Sequence, residues 1–308
     1  MDTAIVAGGQ VIVMFLLMGV GFGLYKLRIL KEDGCAQLNR FLVVLITPMI
    51  MVDSFNREFE MQLFKNLCVG FVMFSIAMAV AVLVSYIFIR GKGEREKIDR
   101  FAASFPNCGF MGLPLISAVL GAEGVVYATA AMAVFNISQW LFGRTMLVGR
   151  GDAKTMLRQI LLSPGVIGFF AALAVLLIPF SLPSPLTSTI SYISAMYTPT
   201  AMVLVGAYIA RTRIMELIGD WRVYRVAALR LVLVPALMLP IYYFSKADPT
   251  VLMASYLATC CPVAAIASLF PPIFGMDEKR GSGLIAVTTV LSILTIPLMV
   301  LLKSTVGA

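Results

Sequence analysis

Histidine is absent from this 308-residue chain, and charge is scarce, with 13% of residues Asp, Glu, Lys or Arg against about a quarter in a soluble domain. Without histidine, the commonest metal ligand and the commonest neutral-pH proton carrier are both missing. Carboxylates are thin where the chain is apolar. Of sixteen Asp and Glu residues, only Asp53 falls inside an apolar run, near its end. It reads as an interfacial residue, and a midplane proton relay has no carboxylate to use. The cysteines, Cys35, Cys68, Cys108, Cys260 and Cys261, are odd in number, and four lie in apolar runs. That excludes a disulfide framework. No basic region precedes the first apolar run, and that run is long enough to span, so it reads as a helix and not as a signal peptide.

What the chain has is apolar length. It is 60% hydrophobic, with a mean hydropathy of +0.95. Runs of about 20 apolar residues need a bilayer, and in lipid only helices satisfy the backbone of such runs. Ten are read: residues 4–25, 38–55, 67–89, 101–120, 125–147, 164–180, 189–210, 223–244, 249–274 and 283–302. The net charge of +8 then orients the chain and does not mark a nucleic-acid partner. Of 24 Lys and Arg residues, 18 fall in the odd-numbered loops or at the span ends beside them, from Lys26 and Arg28 to Lys279 and Arg280. Only Arg57, Lys65, Lys246 and Lys303 fall in the even loops and tails. The asymmetry predicts cytoplasmic odd loops and both termini outside.

Spacing suggests an internal repeat. Thr47-Pro48 and Thr198-Pro199 stand 151 residues apart, and Pro106 and Pro262 stand 156 apart. At that second offset Asn136 and Gln139 fall on Ser292 and Thr295. The fold class expected is all-α and integral to the membrane: ten helices in two five-helix repeats, 1–150 and 151–308, of opposite orientation. Inverted repeats with broken helices near the midplane are a transporter signature.

The fourth run carries two prolines and two glycines within nine residues, in Pro106-Asn107-Cys108-Gly109-Phe110-Met111-Gly112-Leu113-Pro114. Each proline removes a backbone bond and clashes with the preceding turn, and each glycine costs about 1 kcal/mol. The ninth run breaks at Cys260-Cys261-Pro262, with Pro271-Pro272 further on. A broken helix exposes amides that suit a carboxylate. Arg40 and Arg230 read as snorkelling side chains near span ends. Gly19 and Gly23 fit the small-xxx-small pattern for helix contact, and Trp140 reads as packing.

The segment Asn107-Cys108-Gly109-Phe110-Met111-Gly112-Leu113-Pro114-Leu115 resembles the signature of the auxin efflux carrier family, which includes plant PIN-formed carriers and bacterial permeases for malate and malonate. Leu38-Asn39-Arg40-Phe41 with Pro48, the run Asn136 to Gly143, Ser163-Pro164-Gly165, and Ser292 to Leu298 resemble other family segments in order. The resemblance implies crossed breaks in helices 4 and 9, a dimerising scaffold of helices 1, 2, 6 and 7, and a moving transport domain of helices 3–5 and 8–10. It implies that Asn107 helps bind a substrate carboxylate, with Pro114 and Pro262 as crossover prolines. The plant members' long central loop is missing, and Gly165 stands where they have asparagine, so a bacterial carboxylate permease is the closer comparison.

Breaks and resemblance together give the candidate substrate-binding residues. They are Asn107, Cys108, Gly109, Gly112 and Pro114 in the fourth span, Thr47 and Pro48 in the second, Cys261 and Pro262 in the ninth, and Asn136 and Gln139 in the fifth. The expected protein is a homodimeric plasma-membrane carrier of a small organic anion, without a cofactor. The competing reading is a sodium-coupled anion symporter resembling the bile-acid transporters. In that reading oxygens of Asn107, Asn136, Gln139, Ser292 and Thr295 hold the ion. An intramembrane enzyme lacks an activated nucleophile or metal site, and a receptor lacks room for a signalling domain.

Overall fold

A computed structural model describes residues 2–149, 151–177, 182–212 and 219–306. Arg150, Arg213 and the end of the expected sixth span at Phe180 lie outside the described residues. The described chain is helical throughout: α1 Asp2–Lys26, α2 Glu32–Phe55, α3 Met61–Phe88, α4 Glu94–Ser104, α5 Cys108–Val148, α6 Ala153–Leu161, α7 Pro164–Leu176, α8 Ser184–Arg211, α9 Trp221–Phe244, α10 Pro249–Cys260, the single turn α11 Ile266–Leu269, and α12 Glu278–Val306. Seven of these, α1, α2, α3, α5, α8, α9 and α12, are long and apolar enough to cross a bilayer, and α6 with α7, bent by 54°, makes an eighth. At 41 residues, α5 is roughly 60 Å long, twice the hydrocarbon thickness. It turns at Gly121, whose φ of 65° and ψ of −159° suit only glycine.

Three helices widen into π-helical turns at four places: Leu42–Ile46 in α2, Cys108–Gly112 and Gln139–Gly143 in α5, and Leu229–Leu233 in α9. Three of these turns run directly into an X-Pro pair: Thr47-Pro48, Leu113-Pro114 and Val234-Pro235. Proline donates no amide hydrogen and its ring crowds the carbonyl four residues back, and a wider turn relieves that crowding. The Thr47 hydroxyl donates to the Leu42 carbonyl at 2.8 Å.

Packing divides into two groups. α1 lies along the second half of α8, and α2 lies against α7 and the start of α8. α3 packs on α5 and α10, and α12 packs on α11, α4 and α9 and also along α1, which joins the two groups. The α1–α8 contact is made by glycines, but not by those the sequence spacing singled out. A Cβ on Gly19 or Gly23 would meet nothing within 4 Å, whereas one on Gly21 would lie 2.0 Å from the Val203 carbonyl oxygen. Reciprocally, one on Gly206 would lie 2.0 Å from the Met18 carbonyl oxygen. α1 is apolar all round, so its spacing carries no record of which face meets a neighbour.

Every ion pair among the described residues joins charges of the first, third, seventh and ninth loops. Arg211 pairs with Glu278 and lies 3.9 Å from Glu32; Arg95 reaches Asp220 and Arg222 reaches Glu96. Arg280 forks onto Asp99 at 2.7 and 2.9 Å and onto Asp220 at 2.7 Å. These loops therefore gather at one end of the molecule. Asp99, expected in a loop, lies within α4 and is fully buried. It is held there by the guanidinium, since an unpaired buried charge costs several kcal/mol.

Gly206→Ala should lower the thermal stability of purified protein, by an overpacking cost of about 1–3 kcal/mol. Gly19→Ala, in open space, should leave it unchanged. Equal unfolding temperatures for the two variants would contradict the backbone contact between α1 and α8.

Candidate functional site

Two helix interruptions meet. α4 ends at Ser104 and α5 begins at Cys108; α10 ends at Cys260 and α11 begins at Ile266. Proline drives its preceding residue to extended backbone, and here Phe105 (φ −99°, ψ 108°) precedes Pro106 and Cys261 (φ −64°, ψ 148°) precedes Pro262. The two extended stretches pair antiparallel, with Pro106 opposite Val263. The Asn107 amide donates to the Pro262 carbonyl at 2.7 Å, and the Ala264 amide donates to the Phe105 carbonyl at 3.0 Å. The remaining Val263 amide donates to Thr288 Oγ1 of α12 at 3.2 Å. Asn107 has non-helical backbone (φ −76°, ψ 52°), and its carbonyl accepts from Met111 and Gly112 as the π-turn begins.

The carbonyl ends of both interrupted helices converge on Arg230. Its guanidinium donates to Ala103 and Ser104 of α4 at 3.4 and 3.1 Å, and to Thr259 of α10 at 2.5 Å. Arg230 is 1% exposed, so the expected snorkelling does not occur. The carbonyls that the breaks strand inside the protein hold the side chain there. Arg40 is exposed.

Beside the crossing lies a cavity of about 720 Å³, within the range of small-molecule sites. Of the candidate residues, Thr47, Asn107, Cys108, Gly109, Asn136 and Gln139 line it. Gly112, Pro114, Pro48, Cys261 and Pro262 do not. A Cβ on Gly112 would lie 3.4 Å from Cys261 Sγ, and one on Gly168 of α7 would lie 3.0 Å from Pro48. Pro114 is buried in the first turn after the π-helical stretch, and Pro262 supplies the carbonyl that Asn107 binds. Ser292 and Thr295 are not among the lining residues.

The lining carries donors and acceptors left without partners. Asn107 is 4% exposed, and its Nδ2 is buried with no hydrogen bond among the described residues. The same holds for Tyr197 Oη, Asn39 Oδ1 and Gln159 Oε1. A Cβ on Gly109 would lie 3.7 Å from Tyr197 Oη, so that hydroxyl faces the start of α5. Asn136 donates to the Met132 carbonyl at 2.7 Å and lies where a Cβ on Gly165 would intrude, 2.4 Å from its Nδ2. Arg158 and Thr155 of α6 line the mouth. Tyr197, Asn39, Gln159 and Arg158 went unmarked as binding residues in the sequence, because an isolated polar residue in a long run carries no spacing signal.

The family model for membrane transport proteins matches residues 6–300. The chain belongs to this family. It is the auxin efflux carrier family that the fourth-span motif resembled. A family relative from Rhizobium meliloti, named "Putative malonate transporter", is 25% identical over 96% of both chains. An uncharacterized transporter from Methanothermobacter thermautotrophicus is 23% identical over 94% of this chain and 95% of its own. Family membership and the apolar helices make the chain a multi-pass membrane transport protein.

Thr288→Val should leave the Val263 amide buried without an acceptor, at a cost of about 1–3 kcal/mol. Thr288→Ser should not. The check is the thermal unfolding of each purified variant; a valine variant as stable as wild type would mean that α12 does not support the crossing.

Proposed function

We propose that the protein is a carrier, not an enzyme, that moves a small carboxylate across the plasma membrane by alternating access, with Asn107 as the anchor for the anion. The observation that carries the reading is Asn107, which lines the cavity and whose buried Nδ2 has no hydrogen bond among the described residues. A buried donor without an acceptor is costly, and a bond to a charged acceptor contributes about 1.5–3 kcal/mol. A carboxylate in the cavity supplies that acceptor. The Tyr197 hydroxyl is a second free donor. The amide end of the helix starting at Cys108 adds a favourable dipole. The name of the rhizobial relative makes malonate the first compound to try.

The proposed frame is ten spans in two inverted repeats, 1–150 and 151–308. The count follows if α5 crosses twice, turning at Gly121, if α4 joins its first part as a broken span, and if α10 continues through α11 to Phe274 as another. α7 then belongs to the sixth, with α6 before it in the fifth loop. The packing of α1 and α2 on α7 and α8 supports a scaffold of spans 1, 2, 6 and 7. The packing of α3 on α5 and α10 supports a separate transport domain. The clustering of odd-loop ion pairs at one end supports the charge-based topology, with that end cytoplasmic. On this topology the cavity, with Arg158 at its mouth, faces the cytoplasm.

Two tests follow. Asn107→Ala should weaken malonate binding to folded protein tenfold to over a hundredfold, the range set by one charged hydrogen bond. Asn107→Asp should bind more weakly still. Wild-type affinity in the alanine variant would put the anion elsewhere. For topology, with Cys68 replaced by serine, Lys92→Cys should resist an impermeant thiol reagent in intact cells, and Glu58→Cys should react. The reverse pattern would invert the assigned orientation.

A further inference from the structure

Arg230 has no counterpart in the binding reading above. It is not among the cavity-lining residues, it is 1% exposed, and no carboxylate of the described residues pairs with it. Its partners are three main-chain carbonyls: Ala103 and Ser104 at the end of α4, and Thr259 at the end of α10. A helix carboxyl end carries about half a negative charge. Two such ends brought together inside an apolar protein sum to roughly one unit, close to the charge of one guanidinium.

That arithmetic matters because the same crossing must receive an anion. Asn107 stands three residues beyond Ser104, and its own amide binds Pro262, three residues beyond Thr259. Uncompensated carbonyl ends at this distance would oppose a carboxylate at Asn107. Compensated, they leave the amide end of the helix at Cys108 as the net field on the cavity. Only a forked side chain reaches two separate helix ends at once.

We propose that Arg230 is the built-in counter-charge of the crossing, a positioning residue that takes the place of a bound cation and gives the site its preference for anions without touching them. The inference rests on the carboxylate reading above. It implies that no sodium ion is needed to neutralise the crossing, against the symporter expectation.

The test compares malonate with malonamide, its neutral isostere, on wild type, Arg230→Met and Arg230→Lys. Each protein is purified and checked for folding by size exclusion and thermal unfolding. Arg230→Met keeps the apolar stem and removes the charge; it should lose malonate affinity tenfold or more while malonamide binding stays within a few-fold. Arg230→Lys keeps the charge and loses the fork; it should be less stable yet hold the malonate-to-malonamide ratio within a few-fold of wild type. A purely structural role would lower both ligands together and leave the ratio unmoved, and that outcome overturns the proposal. So does a lysine variant whose ratio falls as far as that of methionine. Should Arg230→Met fail to fold, the lysine ratio decides, together with wild-type malonate affinity in sodium chloride against choline chloride. Equal affinities and a kept ratio support the proposal, and a sodium requirement or a lost ratio sinks it. Failure of wild type to bind malonate, acetate or succinate would instead reject the carboxylate reading itself.

Discussion

A chain this apolar has almost nothing but itself with which to satisfy its backbone, and every interruption of a helix strands amides and carbonyls where water is scarce. The structure answers that constraint by placing two interruptions against each other. The amides of Asn107 and Ala264 find the carbonyls of Pro262 and Phe105, and Thr288 takes the Val263 amide. Pro106 and Pro262 have no amide to strand. The carbonyls that the pairing does not reach fall to Arg230. Several groups that a break would leave orphaned are thus met by another element, which helps to hold the breaks as a defined crossing. Among the side-chain atoms left without a partner, Asn107 Nδ2, Tyr197 Oη, Asn39 Oδ1 and Gln159 Oε1 belong to residues that line the cavity, whereas Arg230, whose Nε is also unpaired, does not line it.

Charge is arranged by the same economy. Where carboxylates and guanidinia meet, they do so at one end of the molecule, in a chain of pairs from Glu32 through Arg211 and Glu278, and from Asp99 through Arg280 and Asp220. These pairs tie the ends of α2, α8, α12, α4 and α9 together. Arg230 stands deep among backbone dipoles. Asp99, close in sequence to the crossing, is taken up by Arg280, so the acid nearest the site is already engaged.

How much of this was legible beforehand depended on whether a residue's signal is local. Proline and glycine act on their own backbone. The break at Pro106–Asn107, the break at Cys261–Pro262 and the position of Asn107 beside them could therefore be read directly, as could the long apolar runs. The π-helical turns ahead of Pro48, Pro114 and Pro235 were legible in principle, since each proline crowds the carbonyl one turn back. Arg230 was not, because what holds it is the convergence of two helix ends more than twenty residues away in the chain. Gly21 and Gly206 were missed for Gly19 and Gly23 because a uniformly apolar helix gives no phase. Asp99 was assigned to a loop because a charge beside Lys97 and Arg100 looks solvated; only Arg280, 181 residues on, brings it inside.

A carrier must release what it binds, and the chemistry at the crossing is graded accordingly. Among the residues that line the cavity are an amide and a phenol, Asn107 and Tyr197, which donate without carrying a formal charge. The formal charge sits behind them, shared among three carbonyls, where it shapes the field but offers no direct ion pair. Arg158 is exposed at the mouth, where solvent weakens its pull. An arginine in the place of Asn107 would hold a carboxylate through a forked ion pair with two parallel bonds, and the exit step would slow with the tighter grip. On the proposed function, neutral donors in front of a buried, already engaged cation would bind an anion firmly enough to select it and loosely enough to let it go.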